Sequence, residues 1–200
     1  MELTLYYMPG TRSERVRWAL DELGLDYGIE RLDLFKGEGN RADYLAIHPL
    51  GQLPALLVDG QAMFESGAIV QWLAEAMPGS RLVPPVDQPA RRAFDQWMYF
   101  AATSLEGPAW EMMLHGNILP DEQAVKSIIP FATQQYQRAL QVLDHALTGR
   151  DYLLGNDFSV ADIMVGYLLP WFPEQLADCA VLPAYLKRLE QRPAYPGEPL

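Results

Sequence analysis

The chain has 200 residues, half of them apolar and a fifth charged, which is typical of a globular protein. Its 15 Lys and Arg against 26 Asp and Glu give a formal net charge of −11, which excludes a broad nucleic-acid surface built on clustered basic residues. One cysteine, Cys179, excludes an intramolecular disulfide and every CxxC motif, and suits a reducing cytoplasm. We find no signal peptide and no apolar run near the roughly 18 residues of a membrane span, so we expect a cytoplasmic protein without a membrane partner.

The first part of the chain alternates strand and helix patterns. Apolar residues alternate over 3–7, which predicts a strand, and recur with helical spacing over 16–23 until Gly24 stops the helix. A second strand is predicted near 27–32, parallel to the first because a helical crossover joins the two. A short helical piece follows at 42–47.

The clearest local signal is a hairpin. Asp59 and Gly60 separate two apolar runs, 54–58 and 61–64, and this dipeptide is typical of a type I′ turn. A last helix carries apolar residues on one side over 69–76. The predicted order of this half is therefore β-α-β-α-β-β-α.

The second part of the chain has only helical patterns. It follows a proline-rich linker, and Pro130 is expected to kink or start one of its helices. The predicted helical segments lie at 94–105, 136–147, 160–169 and 183–191. The predicted domains are an α/β domain at 1–78, a linker at 79–89 and an all-helical domain at 90–200.

The turn before the first helix could carry chemistry. It presents backbone N–H groups and the positive end of a helix to one point, where an anion is stabilised. A hydroxyl at that point, such as that of Thr11, could keep a bound thiolate charged. The competing interpretation is a capping box between Thr11 and Glu14, in which the hydroxyl only satisfies a backbone amide.

Two further pairs of residues could bind a peptide-like ligand. A cis peptide bond between Leu53 and Pro54, which X-Pro bonds adopt about one time in twenty, would leave the Leu53 backbone open to an extended peptide. Ser66 is either a helix cap or, with Glu65 and the helix amides, a clamp for an α-carboxylate and an α-ammonium group. The histidines lack any metal-binding spacing, so no metal site is expected.

Four segments, taken in this order and spacing, resemble the cytosolic glutathione S-transferase superfamily, with a bacterial-type site in which a serine or threonine starts the helix. The segments are TRSERVRWALDELGL at 11–25, HPLGQLPALLVDG at 48–60, FESGAIVQWLAE at 64–75 and FSVADIM at 158–164. The resemblance covers essentially the whole chain. It implies a thioredoxin-like α/β N-terminal domain joined to an all-α helical-bundle C-terminal domain, which is the glutathione S-transferase fold.

The resemblance also implies a glutathione site in the first domain. By position, Gln52 and Leu53 would hold the peptide backbone of glutathione beside a cis Pro54, while Glu65 and Ser66 would hold its γ-glutamyl end. Family members are commonly homodimers. Their C-terminal helices, here especially residues 100–114, supply most of the pocket for the second substrate.

Thr11 is the first choice for the residue that activates the glutathione thiol, because it falls at the helix-start hydroxyl position of serine-type members. Ser13 and Tyr7 are the alternatives. The first domain contains no cysteine, which excludes the Cys-dependent chemistry of some bacterial members.

The expected function is therefore that of a detoxifying glutathione S-transferase, which conjugates glutathione thiolate to small hydrophobic electrophiles. Two alternatives stay open: a glutathione-dependent disulfide reductase or isomerase, and a non-catalytic interaction protein of the same fold. Because glutathione is itself negatively charged, a chain of net charge −11 must bind it locally. Helix-start amides are the expected source, with Arg12, Lys36 and Arg41 as the nearby cations to consider.

Overall fold

The computed structural model, which describes residues 1–197, divides the chain into two units at Val83 and Pro84. The first unit contains a four-stranded sheet of order β2-β1-β3-β4, in which β1 pairs parallel to β2 and antiparallel to β3. The predicted order of strands and helices is confirmed. The elements are β1 Leu3–Tyr7, α1 Ser13–Glu22, β2 Gly28–Arg31, α2 Ala42–Leu45, β3 Ala55–Val58, β4 Gln61–Phe64 and α3 Ser66–Ala76.

Alternation along β1 sets the core of this unit. Leu3, Leu5 and Tyr7 are buried, while the residues between them are half-buried. Helices α1 and α3 pack against each other through apolar faces that include Val16 and Ile69, both fully buried. Packing between α1, α3 and the sheet thereby fixes the position of the first turn of both helices.

The hairpin between β3 and β4 is of the predicted kind. Asp59 and Gly60 have φ values of 49° and 81°, so both central residues occupy the left-handed region that a type I′ turn requires. Val58 pairs with Gln61 at its base. This prediction is confirmed.

The end of the chain belongs to the first unit. Residues 190–197 are part of this unit, whereas the predicted second domain included them. The Arg192 guanidinium donates to both carboxylate oxygens of Glu22, at 2.6 and 2.7 Å, and the Tyr195 ring lies edge-on to Trp18 at 4.9 Å. These contacts join residues far apart in sequence, which no local pattern could reveal.

The second unit, Pro84–Leu189, is helical as predicted. The apolar stripe predicted at 94–105 runs through α4 into a π-helical turn, Phe100–Leu105. This wide turn precedes Pro108, which has no N–H to donate to a carbonyl four residues earlier. Pro130 starts α6 and does not kink it. Helix α7 ends at Gly166, short of the predicted 169. The helices are α4 Ala90–Tyr99, α5 Glu106–Met113, α6 Ile129–Leu147, α7 Val160–Gly166 and α8 Leu182–Glu190.

Within residues 1–197, no helix combines the length and the apolar character needed to cross a membrane.

Ser159 and Asp162 form a capping box at the start of α7, as their spacing predicts. The Asp162 carboxylate is fully buried, and it also accepts hydrogen bonds from the Leu153 N–H at 2.9 Å and from the Tyr185 hydroxyl at 2.8 Å. This carboxylate therefore ties α7 to α8 and to the loop before it.

A second carboxylate holds the start of α8. Asp144 on α6 accepts hydrogen bonds from the N–H groups of Ala180, Val181 and Leu182, at 3.0, 2.8 and 3.0 Å. Partial burial favours the neutral carboxyl and acts to raise the pKa of Asp144. The three N–H donors favour the charged carboxylate, and together they hold that pKa below its usual value.

Asp144→Asn should lower the free energy of unfolding by about 1–2 kcal/mol at neutral pH, because it removes a charged acceptor from three backbone donors. The folded-state pKa lies below the unfolded-state value. The stabilisation is therefore present above the unfolded pKa and is lost as the pH falls through the folded pKa. Urea unfolding at neutral and acid pH should show the difference from wild type shrinking, with the exposed Asp178→Asn as the control; a difference independent of pH would contradict this.

Candidate functional site

The turn between β1 and α1 brings two hydroxyl groups onto one carbonyl. The Thr11 hydroxyl donates to the carbonyl of Met8 at 2.7 Å, and the Ser13 hydroxyl lies 3.1 Å from the same oxygen. The two hydroxyl oxygens are 2.6 Å apart. Ser13 is fully buried and also accepts the N–H of Met8 at 3.3 Å, whereas Thr11 is half-buried. Thr11 is thus the more exposed residue of the pair.

The capping-box interpretation of this turn is wrong. Helix α1 begins at Ser13 without a side-chain cap, and the Glu14 carboxylate turns into the protein. There it accepts the hydroxyl of Tyr7 at 2.6 Å and pairs with the Arg17 guanidinium at 3.2 Å. The buried Tyr7 hydroxyl needs an acceptor, and Glu14 supplies it. The Thr11 hydroxyl accepts the Ser13 N–H at 3.4 Å, but it makes no capping box with Glu14.

Tyr7, an alternative to Thr11, lies in the core. Its side chain is fully buried, and burial and the hydrogen bond to Glu14 raise the pKa of its hydroxyl. A hydroxyl held in this way cannot reach the sulfur of a ligand at the surface. The structure contradicts this alternative.

The predicted peptide-binding edge is present at the start of β3. The peptide bond between Leu53 and Pro54 is cis, as the resemblance implies. Within residues 1–197, the Leu53 N–H and C=O have no hydrogen-bond partner, while the carbonyl of Gln52 accepts the Tyr44 hydroxyl at 2.5 Å. The Leu53 side chain is buried against Tyr44, and the Gln52 side chain is exposed. The backbone of Leu53 is thus held rigidly with its polar groups available.

Glu65 and Ser66 form an unusual helix start. Glu65 is exposed, with φ 71° and ψ 105°, a conformation that is costly for a residue other than glycine and that clusters at functional sites. Ser66 is the first residue of α3 and makes no side-chain cap. Its Oγ instead accepts a hydrogen bond from the Arg15 Nη1 at 3.1 Å. The cap interpretation of Ser66 is therefore wrong.

Arg15 is the residue that sequence reasoning missed. It is 1% exposed and lies on the buried side of α1 next to Val16. A charged residue inside an apolar helix face was the available signal, because such a side chain needs a polar partner. Of the three cations considered instead, Arg12 is half-buried at the start of α1. The other two are exposed and paired at the surface, Lys36 with Asp33 at 3.1 Å and Arg41 with Asp43.

These contacts gather the predicted residues at one end of the first unit. Met8, whose carbonyl holds Thr11, packs against the cluster that contains Leu53. Arg15, in the first turn of α1, reaches Ser66 at the start of α3. The site thus offers a half-buried threonine, an open backbone edge and the start of α3 backed by a buried positive charge.

Neither a metal nor a protein thiol contributes to this arrangement. Across residues 1–197, no three His, Cys, Asp or Glu side chains lie close enough together to hold a metal ion. Cys179 is half-buried in the second unit, and burial, together with the Asp144 and Asp178 carboxylates, raises the pKa of its thiol. It is therefore a poor nucleophile.

The chain matches two family models that together span nearly all of it. Residues 1–75 match the glutathione S-transferase N-terminal domain, and residues 71–198 match the glutathione S-transferase C-terminal domain. Glutathione S-transferase GstA of Escherichia coli is 30% identical, with 96% of this chain and 94% of that protein covered. The disulfide-bond oxidoreductase YfcG of Escherichia coli is 32% identical, with 96% and 92% covered.

The fold is likewise similar to a solved structure that contains a ligand. A glutathione transferase homologue from Sulfitobacter, with bound glutathione, superposes with a TM-score of 0.84 at 26% identity. The alignment covers 97% of this chain and 95% of that one.

Tyr7→Phe should lower the free energy of unfolding by about 1–3 kcal/mol, because it leaves the buried Glu14 carboxylate without its hydroxyl donor. Tyr6→Phe, on the same strand and half-buried, is the matched control and should change stability by less than about 0.5 kcal/mol. Thermal and urea unfolding measure both. Equal stability of the two variants would show that the Tyr7 hydroxyl does not support the fold.

Proposed function

The chain belongs to the glutathione S-transferase family and is a glutathione transferase with glutathione as its co-substrate. From that premise we propose that it uses Thr11 to activate the sulfur of glutathione, which is then joined to small hydrophobic electrophiles. The observation that carries the role of Thr11 is its position. Thr11 is the half-buried member of a hydroxyl pair at the start of α1, and the other member, Ser13, is fully buried.

Activation of the thiol is energetically within reach of this turn. A free thiol has a pKa of about 8.5, so only a few per cent is thiolate at neutral pH. Lowering that pKa by about 2 requires about 2.7 kcal/mol of preference for the charged form. One hydrogen bond to the thiolate contributes about 1.5–3 kcal/mol and a helix N-terminus about 0.3–1 kcal/mol. Together they suffice without a general base.

The hydroxyl pair supports this role because it holds two protons beside one carbonyl. When Ser13 donates to Met8, the Thr11 proton can turn outward to a thiolate without leaving the carbonyl unsatisfied. The thiolate electron pair then forms the bond from sulfur to carbon. In a substitution the leaving group departs with its own electron pair, and in an addition the electrophile takes a proton from water.

The remainder of the glutathione site follows from the open backbone and the helix start. The Leu53 N–H and C=O, beside Gln52 and cis Pro54, would pair with the backbone of glutathione as an added strand does. Glu65 would receive its α-ammonium group, and Ser66 with the first amides of α3 its α-carboxylate.

The division of labour between domains is part of the proposal. The domain predicted at 1–78 would bind glutathione, and the helical domain predicted at 90–200 would bind the electrophile, chiefly through 100–114. What supports this is a set of half-buried aromatic rings in the second unit: Trp110 lies 6.4 Å from Trp171. Such rings accept apolar, flat molecules.

The cellular setting is the cytoplasm, where glutathione keeps thiols reduced, and the role there is detoxification of reactive electrophiles. The family matches favour the transferase over a disulfide reductase or an interaction protein, although one relative is a disulfide-bond oxidoreductase. Parallel assays of conjugation and of glutathione-dependent disulfide reduction compare the two activities. Retention on immobilised glutathione distinguishes both from an interaction protein.

Thr11→Ala should raise the pKa of the bound glutathione thiol by about 1 to 2, because it removes the hydroxyl donor to the thiolate. The rate of conjugation at neutral pH should fall about tenfold or more, while glutathione affinity changes little. The pH dependence of kcat/KM and the thiolate absorbance of the complex measure the shift. Thr11→Ser is the control and should keep the low pKa; an unchanged pH profile in Thr11→Ala would move the role to Ser13 or to backbone amides.

We also propose that the protein is a homodimer, with the second copy seated on an apolar groove of about 480 Å³ in the second unit. Phe131 and Val142 line the groove from one side of α6, with 62% and 50% of their surfaces exposed. The charged residues of the lining, Glu111 and Arg138, have opposite signs. A neutral, apolar groove is where two chains of net charge −11 can meet with the least repulsion.

Replacing Phe131 and Val142 together by Asp should separate the dimer, because it places two charges in the apolar groove. Light scattering after size-exclusion chromatography should give half the wild-type mass. Val86→Asp, at an 81% exposed residue outside the groove, is the control. A wild type that is already monomeric, or a double variant that stays dimeric, would contradict the proposal.

A further inference from the structure

The buried bond between α1 and α3 has a consequence for glutathione recognition. Arg15 donates from Nη1 to the Ser66 Oγ at 3.1 Å, and the two residues are 1% and 6% exposed. We propose that Arg15 is a positioning residue, which turns the Ser66 hydroxyl toward the α-carboxylate of the γ-glutamyl end and places a buried positive charge behind it. This rests on the proposed glutathione site.

Hydrogen-bond counting gives the direction of the hydroxyl. A serine hydroxyl has one proton and two lone pairs, whereas a guanidinium only donates. Arg15 therefore occupies a lone pair of Ser66 and leaves its proton for another acceptor. Within residues 1–197, the structure gives that proton no acceptor. A ligand carboxylate is the acceptor that this geometry suits.

Charge supports the same assignment. The chain has a net charge of −11, and two of the loop cations near the site, Lys36 and Arg41, are already paired with Asp33 and Asp43 at the surface. Salt and water screen such exposed pairs, whereas a buried charge acts through a medium of low dielectric constant. Arg15 adds to the positive end of α3, where the first amides would also face the bound γ-glutamyl carboxylate.

Packing alone gives little reason for this residue. A buried guanidinium is costly to remove from water, and an apolar side chain of similar volume would fill the contact between α1 and α3 at least as well. The fork of Arg also holds a fixed direction, which Lys, a mobile point charge, does not. A guanidinium fixed in this way holds the Ser66 hydroxyl in one orientation.

The test compares glutathione with the dipeptide Cys-Gly, which lacks the γ-glutamyl end. Calorimetry and steady-state kinetics are run on wild type, Arg15→Gln, Ser66→Ala and the double variant. Arg15→Gln should weaken glutathione binding and raise its KM about tenfold, with kcat at saturating glutathione and the affinity for Cys-Gly unchanged. In the double variant the two effects should be less than multiplicative, because Arg15 acts through Ser66.

Arg17→Gln is the matched control. Arg17 lies on the same helix and pairs with Glu14, so its loss should lower thermal stability without changing the KM for glutathione. Arg15→Lys keeps the charge but loses the fixed fork, and it should weaken glutathione binding less than Arg15→Gln. It also provides the measurement if Arg15→Gln does not fold.

Three results would overturn the role of Arg15: an unchanged KM for glutathione, an equal loss of affinity for Cys-Gly, or effects of Arg15→Gln and Ser66→Ala that simply multiply. Failure of both Arg15 variants to fold would make the residue structural and overturn it as well. If wild type itself binds no glutathione, the proposed function fails instead. The two failures are thus distinguishable.

Discussion

The inward-facing side of β1 is the constraint on which the rest of the site depends. Leu3, Leu5 and Tyr7 alternate into the core, which fixes the register of the strand. The Tyr7 hydroxyl then binds Glu14, anchoring the first turn of α1 and drawing that carboxylate away from the turn before it. With Glu14 engaged in the core, its carboxylate forms no capping box with Thr11. Burial in the core thus decides which contacts the turn before α1 can make.

An acidic chain that binds an acidic ligand needs a positive electrostatic potential at the binding site, although its net charge is negative. At physiological salt, charges farther apart than about 8 Å are largely screened, so the surface carboxylates matter less than groups in contact with the ligand. In the proposed site, helix-start amides supply such contacts and a buried guanidinium lies directly behind one of them. Arg15 has that place because it lies in the first turn of α1 and reaches Ser66, the first residue of α3. The net charge of −11 is then compatible with anion binding.

The sequence predicted the strands, helices and hairpin well, because each depends on local spacing and turn residues such as Asp59-Gly60. It left Thr11 undecided, since the capping box and the exposed hydroxyl use the same residues, and only the partner of Glu14 separates them. Arg15 was missed because its burial depends on the packing of α3. The contact between Arg192 and Glu22 was equally out of reach, because nothing local to either residue requires the other.

The proposed role of the hydroxyl pair at the start of α1 implies a particular kind of catalysis. A hydroxyl does not take up a proton from a thiol, so it can only stabilise the thiolate, and the proton must leave through water. The activity should then follow the ionisation of the bound sulfur itself and not that of a protein base. The site needs no titrating partner, which agrees with a protein whose own thiol, Cys179, has a raised pKa and lies in the other unit. In the proposed mechanism, reactivity therefore enters with glutathione, and the protein would supply direction, charge and an apolar surface.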